Sequence, residues 1–97
     1  MQPAARSEWE RQAILTFKVR EVKRRLQQHA MDGYEQGQFR CEDQLADFMV
    51  SAGCYERAIV YYKEAMRFAS SAEQRISALT SLAVTSSEME NASDAVK

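Results

Sequence analysis

The chain has few of the residues that interrupt helices. Its 97 residues include one proline, Pro3, and three glycines. Glycine and proline oppose a helix interior more than any other residues, so their scarcity permits long unbroken helices. No segment alternates apolar and polar residues between hairpin signals, which argues against strands. The sequence therefore predicts an all-α protein of one small domain's length.

Residues that carry catalytic or metal chemistry are also scarce. The chain has one histidine, His29, and two cysteines, Cys41 and Cys54. A structural zinc site needs four ligands, and a disulfide framework needs more cysteines than two. There is no glycine-rich phosphate loop, and no nucleophile, base and orienting group can be assembled. We expect no enzymatic activity, no metal and no cofactor.

Long apolar runs are absent as well. No stretch of 18 apolar residues occurs, so the sequence predicts no membrane span. Two cysteines fit a reducing compartment, and we expect an intracellular protein, cytoplasmic or nuclear. The charge is uneven: residues 1–31 hold seven Lys/Arg and three Asp/Glu, net +4, and residues 32–97 hold six and eleven, net −5. A basic helix packed on an acidic body would explain this division.

The first predicted helix is long and runs from about Ser7 to Met31. Ser7 followed by Glu10 fits a capping box. An apolar stripe recurs at intervals of four, three and four residues, which is the spacing of one helix face. The residues of this stripe are Leu15, Val19, Val22 and Leu26.

Glycines mark the ends of this helix and the next one. Gly33 and Gly37 follow the first helix and Gly53 follows the second, because glycine accepts the left-handed conformation that ends helices. Ser71 with Gln74 fits a further capping box. The later helices are predicted at Phe39–Ser51, Tyr55–Ala69 and Ala72–Ser87, with a fifth capped by Asn91 or Ser93.

Two turn motifs match each other: Gly37-Gln38-Phe39 and Gly53-Cys54-Tyr55, 16 residues apart. This distance is about half of the tetratricopeptide period of roughly 34 residues. From Leu45 to Ala65, large and small residues alternate in the order that family uses, with Met49 where an aromatic residue is usual; the matching residues are Leu45, Ala46, Gly53, Tyr55, Ala58, Tyr62 and Ala65. Residues from about 39 to 97 therefore resemble the tetratricopeptide-repeat (TPR) family.

The resemblance continues into an incomplete second repeat. Leu79, Leu82 and Ala83 match its first helix, and Ala92 and Ala95 would begin its second. Ala58 and Ala95 are 37 residues apart, as in the longer-linker subclass similar to kinesin light chains and spindle-orientation adaptors. Glu42 departs from the pattern, because the family often has tryptophan there. The implied architecture is a TPR-like α-solenoid fragment over 38–97, with one complete and one truncated repeat, preceded by a basic amphipathic helix and turn over 1–37.

A TPR-like fold implies a protein-binding groove lined by the first helix of each repeat. The family pattern places these residues there: Arg40, Asp43, Asp47, Val50, Thr80, Val84 and Ser87. Asp43 and Asp47 lie four residues apart on one helix face and would favour a basic peptide. The expected function is that of a scaffold or adaptor for a basic or helical segment of a partner protein. A solvated acidic face is the alternative interpretation of the two aspartates.

Two further functions remain open for the first helix. Its stripe of Leu15, Val19, Val22 and Leu26 has a coiled-coil spacing and could join two copies in a homodimer, although packing within the chain is the commoner use of such a stripe. The five cations between Lys18 and Arg25 could contact nucleic acid. Glu21 interrupts them and the whole chain is acidic, which makes this use less expected.

Overall fold

The computed structural model describes residues 8–96, with side chains described as far as residue 93, and this part of the chain contains only helices and turns. The prediction of an all-α protein is therefore confirmed. The helices are α1 (Glu8–Asp32), α2 (Glu35–Ser51), α3 (Tyr55–Arg67) and α4 (Ala72–Val96). Ser7, the first residue of the predicted capping box, lies outside the described residues.

Each helix packs mainly on its neighbour in sequence: α1 on α2, α2 on α3 and α3 on α4. Because the connections are short, successive helices run antiparallel. The resulting body measures 46 × 31 × 20 Å and has a radius of gyration of 15.1 Å. A compact domain of this length would have a radius of gyration of about 12.5 Å. The helices therefore form a thin, elongated array, about two helix diameters deep.

Glycine ends α1 and α2 as the sequence predicts. Gly33 has a φ of 68° and Gly53 a φ of 76°, both in the left-handed region. After α2, the Gly53 N–H donates to the carbonyl of Val50 and the Cys54 N–H to that of Met49 at 2.8 Å. This is the Schellman arrangement, which satisfies carbonyl groups at the helix end and reverses the chain towards α3.

Gly37 does not break a helix, so that prediction is wrong. Gly37 is buried within α2, which begins at Glu35 and not at Phe39. A Cβ at this position would lie 2.5 Å from the ring of His29 and 2.7 Å from that of Tyr34. The two rings meet edge to face with centroids 5.2 Å apart. Position 37 needs glycine because the end of α1 approaches the backbone of α2 closely there.

The predicted fifth helix is also wrong, because α4 continues without interruption to Val96. No glycine or proline lies between residues 72 and 96, and the alanines near the end favour continued helix. Asn91 and Ser93 are therefore helical residues and not caps. The start of α4 at Ala72 is as predicted, but only half of the capping box forms: Ser71 Oγ accepts a hydrogen bond from the Gln74 N–H at 3.1 Å, while Gln74 Oε1 accepts one at 2.8 Å from the N–H of Ser70 and not from that of Ser71.

The core is a row of small clusters between successive helices. Val22 of α1 packs with Cys41 and Leu45 of α2. Ala46 and Met49 of α2 pack with Ala58 and Tyr62 of α3, and Val19 and Leu82 close this cluster from α1 and α4. The alanines let the helix backbones approach, and the larger side chains fill the space between them.

The apolar stripe of α1 is used inside the chain. Val22 is 1% exposed, and the partly buried Val19 and Leu26 pack against the same cluster. Leu15 is half-buried beside Phe48 of α2. A homodimer through this stripe would require α1 to leave α2, which would expose a packed core.

None of the described helices has a stretch apolar and long enough to cross a bilayer.

Candidate functional site

One face of α2 carries the residues that the sequence placed in a groove. Arg40, Asp43, Asp47 and Val50 follow each other at intervals of three, four and three, which puts them on the same side of the helix. Arg40 and Asp47 are exposed and Asp43 is half-buried. Val50 packs partly against the core cluster between α2 and α3, so it contributes to packing as well as to the surface.

Tyr62 of α3 is the meeting point of three helices. Its hydroxyl donates a hydrogen bond to Asp47 Oδ1 of α2 at 2.6 Å, and Ser81 of α4 interacts with the same hydroxyl. The Tyr62 side chain is buried, and burial together with Asp47 raises the pKa of its hydroxyl. The hydroxyl therefore stays neutral and continues to donate to the carboxylate.

Asp43 lies one helical turn before Asp47. Burial raises the pKa of its carboxyl above the usual value, and the negative charge of Asp47 raises it further. Two carboxylates in a partly desolvated setting repel each other, so a cation placed between them would stabilise both ionised forms. The arrangement favours binding of positive charge.

Glutamine side chains join α2 to α4 near the start of both helices. The Gln36 amide of α2 donates to Ser70 Oγ, and Gln74 Nε2 of α4 donates to Gln36 Oε1 at 2.8 Å. Together with the Tyr62 contacts, these bonds show that α2 and α4 lie side by side across one edge of α3. We name the surface between them, with the buried Tyr62 beneath it, the α2–α4 groove.

The α4 side of this groove differs from the prediction in its details. Thr80, Val84 and Ser87 are all exposed, but Ser81 is the residue that interacts with Tyr62. Residues 76–87 contain no charged side chain, and the exposed fraction of Val84 is 51%. The α2 side of this groove thus carries Asp43 and Asp47 beside the exposed Arg40, and the α4 side is uncharged between residues 76 and 87.

The sequence interpretation missed Tyr62, Ser81 and Gln36 as site residues. Tyr62 falls on the apolar face of its helix, where the TPR pattern has an aromatic residue, and it is part of the core. The available signal was its hydroxyl, because a buried tyrosine normally finds a hydrogen-bond partner. The identity of that partner depends on which helices meet there.

Glu42, the departure from the TPR pattern, is buried on a different face of α2, with 6% of its surface exposed. Burial raises the pKa of its carboxyl to about 7, the nearby Glu64 contributes in the same direction, and Arg67 opposes both. The side chain has no link to the Asp43 and Asp47 face. It is a source of pH dependence in the fold.

The cations of α1 do not form one patch. Arg20 and Lys23 line a cleft towards α3 together with Arg57, whereas Lys18 and Arg25 line a depression towards α2. Arg24 is paired with Glu21 at 2.8 Å. These cations are therefore divided between two sides of α1.

The cysteines lie apart in the fold: Cys41 is buried in the core between α1 and α2, and Cys54 is exposed in the turn before α3. Burial raises the pKa of the Cys41 thiol. Within the described residues, no three His, Cys, Asp or Glu side chains are grouped so that they could hold a metal ion.

Comparison of the chain with protein-family models, with curated proteins and with solved structures finds no match. The groove between α2 and α4 therefore stands as a candidate site on its own geometry.

Proposed function

We propose that the chain is a protein-binding scaffold that holds a basic segment of a partner protein between α2 and α4. The observation that carries this proposal is the placement of Asp43 and Asp47 along a groove whose floor, Tyr62, is hydrogen-bonded to Asp47. The groove is preformed by contacts among three helices, so a partner would find the carboxylates already in position. Positive charge would relieve the repulsion between them.

We also propose that the fold is a TPR-like helical repeat. Two neighbouring helices on one side of a third, with small residues at the contacts, support a TPR-like helical repeat that works as an adaptor. The unbroken α4 departs from the second TPR-like repeat, since that repeat would turn back after its first helix. The two free thiols suit a reducing compartment, the cytoplasm or the nucleus.

The test uses two labelled amphipathic peptides of equal length, one with lysines and leucines and one with glutamates and leucines. We expect the chain to bind the lysine peptide more tightly, and the difference to shrink at high salt. Asp43→Asn and Asp47→Asn together should weaken binding of the lysine peptide by about tenfold. Asparagine at position 47 keeps an oxygen acceptor for Tyr62, so the groove is retained.

Glu56→Gln provides the matched control. It removes one exposed carboxylate from α3, outside the groove. Fluorescence anisotropy should show nearly unchanged affinity for the lysine peptide in this variant. Unchanged affinity of the Asp43→Asn, Asp47→Asn variant for the lysine peptide, or equal losses in the groove and control variants, would reject the proposal.

A further inference from the structure

A second groove, which we name the basic groove, lies between α1 and α2. It consists of two adjoining depressions that share Lys18 and Phe48. The larger has a volume of about 520 Å³. On α2, Gln44 and Ser51 line this groove, whereas Asp43 and Asp47 face α4 on the other flank of the same helix. The two grooves are therefore separate surfaces.

Positive charge follows the α1 edge of the basic groove at a regular interval. Arg11, Lys18 and Arg25 all line it and are seven residues apart in sequence. Seven residues are two helical turns, so the three side chains leave α1 on the same side at intervals of about 10.5 Å. Arg11 forms an exposed ion pair with Glu8 at 3.2 Å. Among residues 8–96, Lys18 and Arg25 take part in no ion pair.

Besides Glu8, which is paired with Arg11, one acidic residue, Glu21, lines this edge. Its carboxylate accepts a hydrogen bond from Arg24 at 2.8 Å, so its charge is already compensated within α1. The net potential along the edge is therefore positive. This makes the basic groove the electrostatic opposite of the groove beside Asp43 and Asp47.

The floor of the basic groove is apolar. Ile14 and Leu15 of α1 and Phe48 of α2 are only half-buried there. Phe17 stands at the rim and leaves 63% of its surface exposed. Large apolar side chains that remain accessible beside unpaired cations are a typical arrangement of an interface core with a charged border.

We propose that the basic groove is a docking site for an acidic amphipathic helix of a partner protein. A helix lying nearly parallel to α1 presents residues at the same seven-residue interval, so carboxylates spaced by seven would face Arg11, Lys18 and Arg25 in turn. Its leucines or other large apolar residues would lie on Ile14, Leu15 and Phe48. This recognition is a helix-in-groove contact in which apolar burial supplies affinity and charge selects the partner.

The docking site does not depend on the proposed function of the α2–α4 groove. It has the opposite charge preference and uses different side chains. If both sites operate, the chain joins a basic segment to an acidic helix, with α2 between them.

The probe is a labelled synthetic helix with leucines on one face and glutamates at every seventh position beside them. Two reference peptides accompany it: a scrambled peptide of the same composition, and one with lysine in place of every glutamate. We expect the lysine peptide, which the α2–α4 groove can hold, to bind independently of Lys18, and the first peptide to bind at least tenfold more tightly than the scrambled one. Lys18→Glu should weaken binding of the first peptide by tenfold or more, and Phe17→Gln by several-fold.

Arg20→Glu is the matched control. It makes the same change of charge on an exposed position of the same helix, but it faces the cleft towards α3. Phe17 and Lys18 are exposed, so their replacement should leave the circular dichroism spectrum and the melting temperature unchanged. The pair Asp43→Asn and Asp47→Asn should leave binding of the glutamate peptide unaltered, which separates this result from the test of the α2–α4 groove.

Three results would overturn the proposal. Equal loss of binding in Arg20→Glu and Lys18→Glu would show general electrostatic attraction in place of a groove. Tighter binding of single-stranded polynucleotide, with the same dependence on Lys18, would assign the surface to nucleic acid. A mass that rises with protein concentration by light scattering, and falls to the monomer in Lys18→Glu, would assign it to a second copy of the chain.

Discussion

At the scale of single residues, Glu42 is a buried ionisable group whose pKa lies far above its usual value. Its carboxyl is buried among the helices. The positive charge of Arg67 opposes the rise in its pKa only in part, and Arg67 forms its ion pair with Glu64, at 3.1 Å. An isolated carboxyl in such a position favours its protonated form. The pKa of about 7 therefore means that Glu42 changes charge close to neutral pH.

The first prediction concerns the pH dependence that Glu42 introduces. Below about pH 4.5 the carboxyl is protonated in both states and has no linked effect on stability. As the pH rises from there to about 7, the unfolded chain ionises while the folded chain keeps its proton, so stability falls by up to about 3 kcal/mol. Glu42→Gln removes this loss. We expect it to raise the free energy of unfolding by 1–3 kcal/mol at about pH 8 and to change it little at about pH 4.

Urea denaturation at the two pH values measures this difference. Glu90→Gln, which replaces an exposed carboxyl on α4, is the control and should shift stability by less than about 0.5 kcal/mol at either pH. A Glu42→Gln variant whose stability tracks the parent chain at both pH values would show that Glu42 is ionised in the folded state.

At the scale of elements, the stability of α4 depends on the hydrogen bonds at its N-terminus, because the helix has only a weak apolar face. The helix is 25 residues long, yet its buried residues are few and its exposed ones include Ile76 and Leu79. Because the apolar face of α4 is weak, packing on α3 stabilises only part of this helix. The hydrogen bonds at Ser70, Ser71 and Gln74 therefore have a large share in holding the helix beside α2 and α3.

The second prediction concerns the cap of α4. Ser71→Ala removes the oxygen that accepts from the Gln74 N–H, and we expect a loss of about 1 kcal/mol in the free energy of unfolding. Ser77→Ala is the matched control, since it makes the same substitution at an exposed position inside α4. It should stabilise the helix by a few tenths of a kcal/mol. Urea titration measures both, and losses of equal size would contradict the capping role.

At the scale of the whole molecule, the array is held by contacts between successive helices. The cluster around Tyr62 includes side chains of all four helices, and α1 is held chiefly through Val22 and the residues around it. This arrangement predicts that loosening the contact between α1 and α2 lowers the stability of a monomer and leaves its mass unchanged. A homodimer through the α1 stripe would respond differently.

The third prediction uses Val22→Ala to separate these cases. Because Val22 is 1% exposed, its truncation leaves a cavity, and we expect a loss of about 2 kcal/mol. The urea midpoint should not depend on protein concentration, in the variant or in the parent chain. Val60→Ala, at a position 60% exposed on α3, should change stability by no more than about 0.5 kcal/mol. A midpoint that rises with concentration and loses this dependence in Val22→Ala would place the stripe in a dimer interface.

Local patterns alone predicted much of the fold. The spacing of Leu15, Val19 and Val22 indicates a helix with one apolar side whatever it packs against, and the helix ends at Gly33 and Gly53 follow from backbone sterics. Gly37 shows the limit of such reasoning. Gly37 allows the His29 ring to approach the backbone of α2 closely. A contact between two helices cannot be predicted from the residues that flank a glycine in the sequence.

By itself, the sequence determined the approximate bounds of α1 and α3, the end of α2 and the start of α4, because helix formation depends on periodicity, caps and breakers that lie within a few residues of each other. The tertiary structure decided which polar groups meet. Tyr62 reaches Asp47 and Ser81, and Arg11, Lys18 and Arg25 line one edge of an apolar groove, only because three pairs of antiparallel helices pack in a particular register. These features depend on distances between residues that are far apart in sequence, and local patterns do not encode such distances.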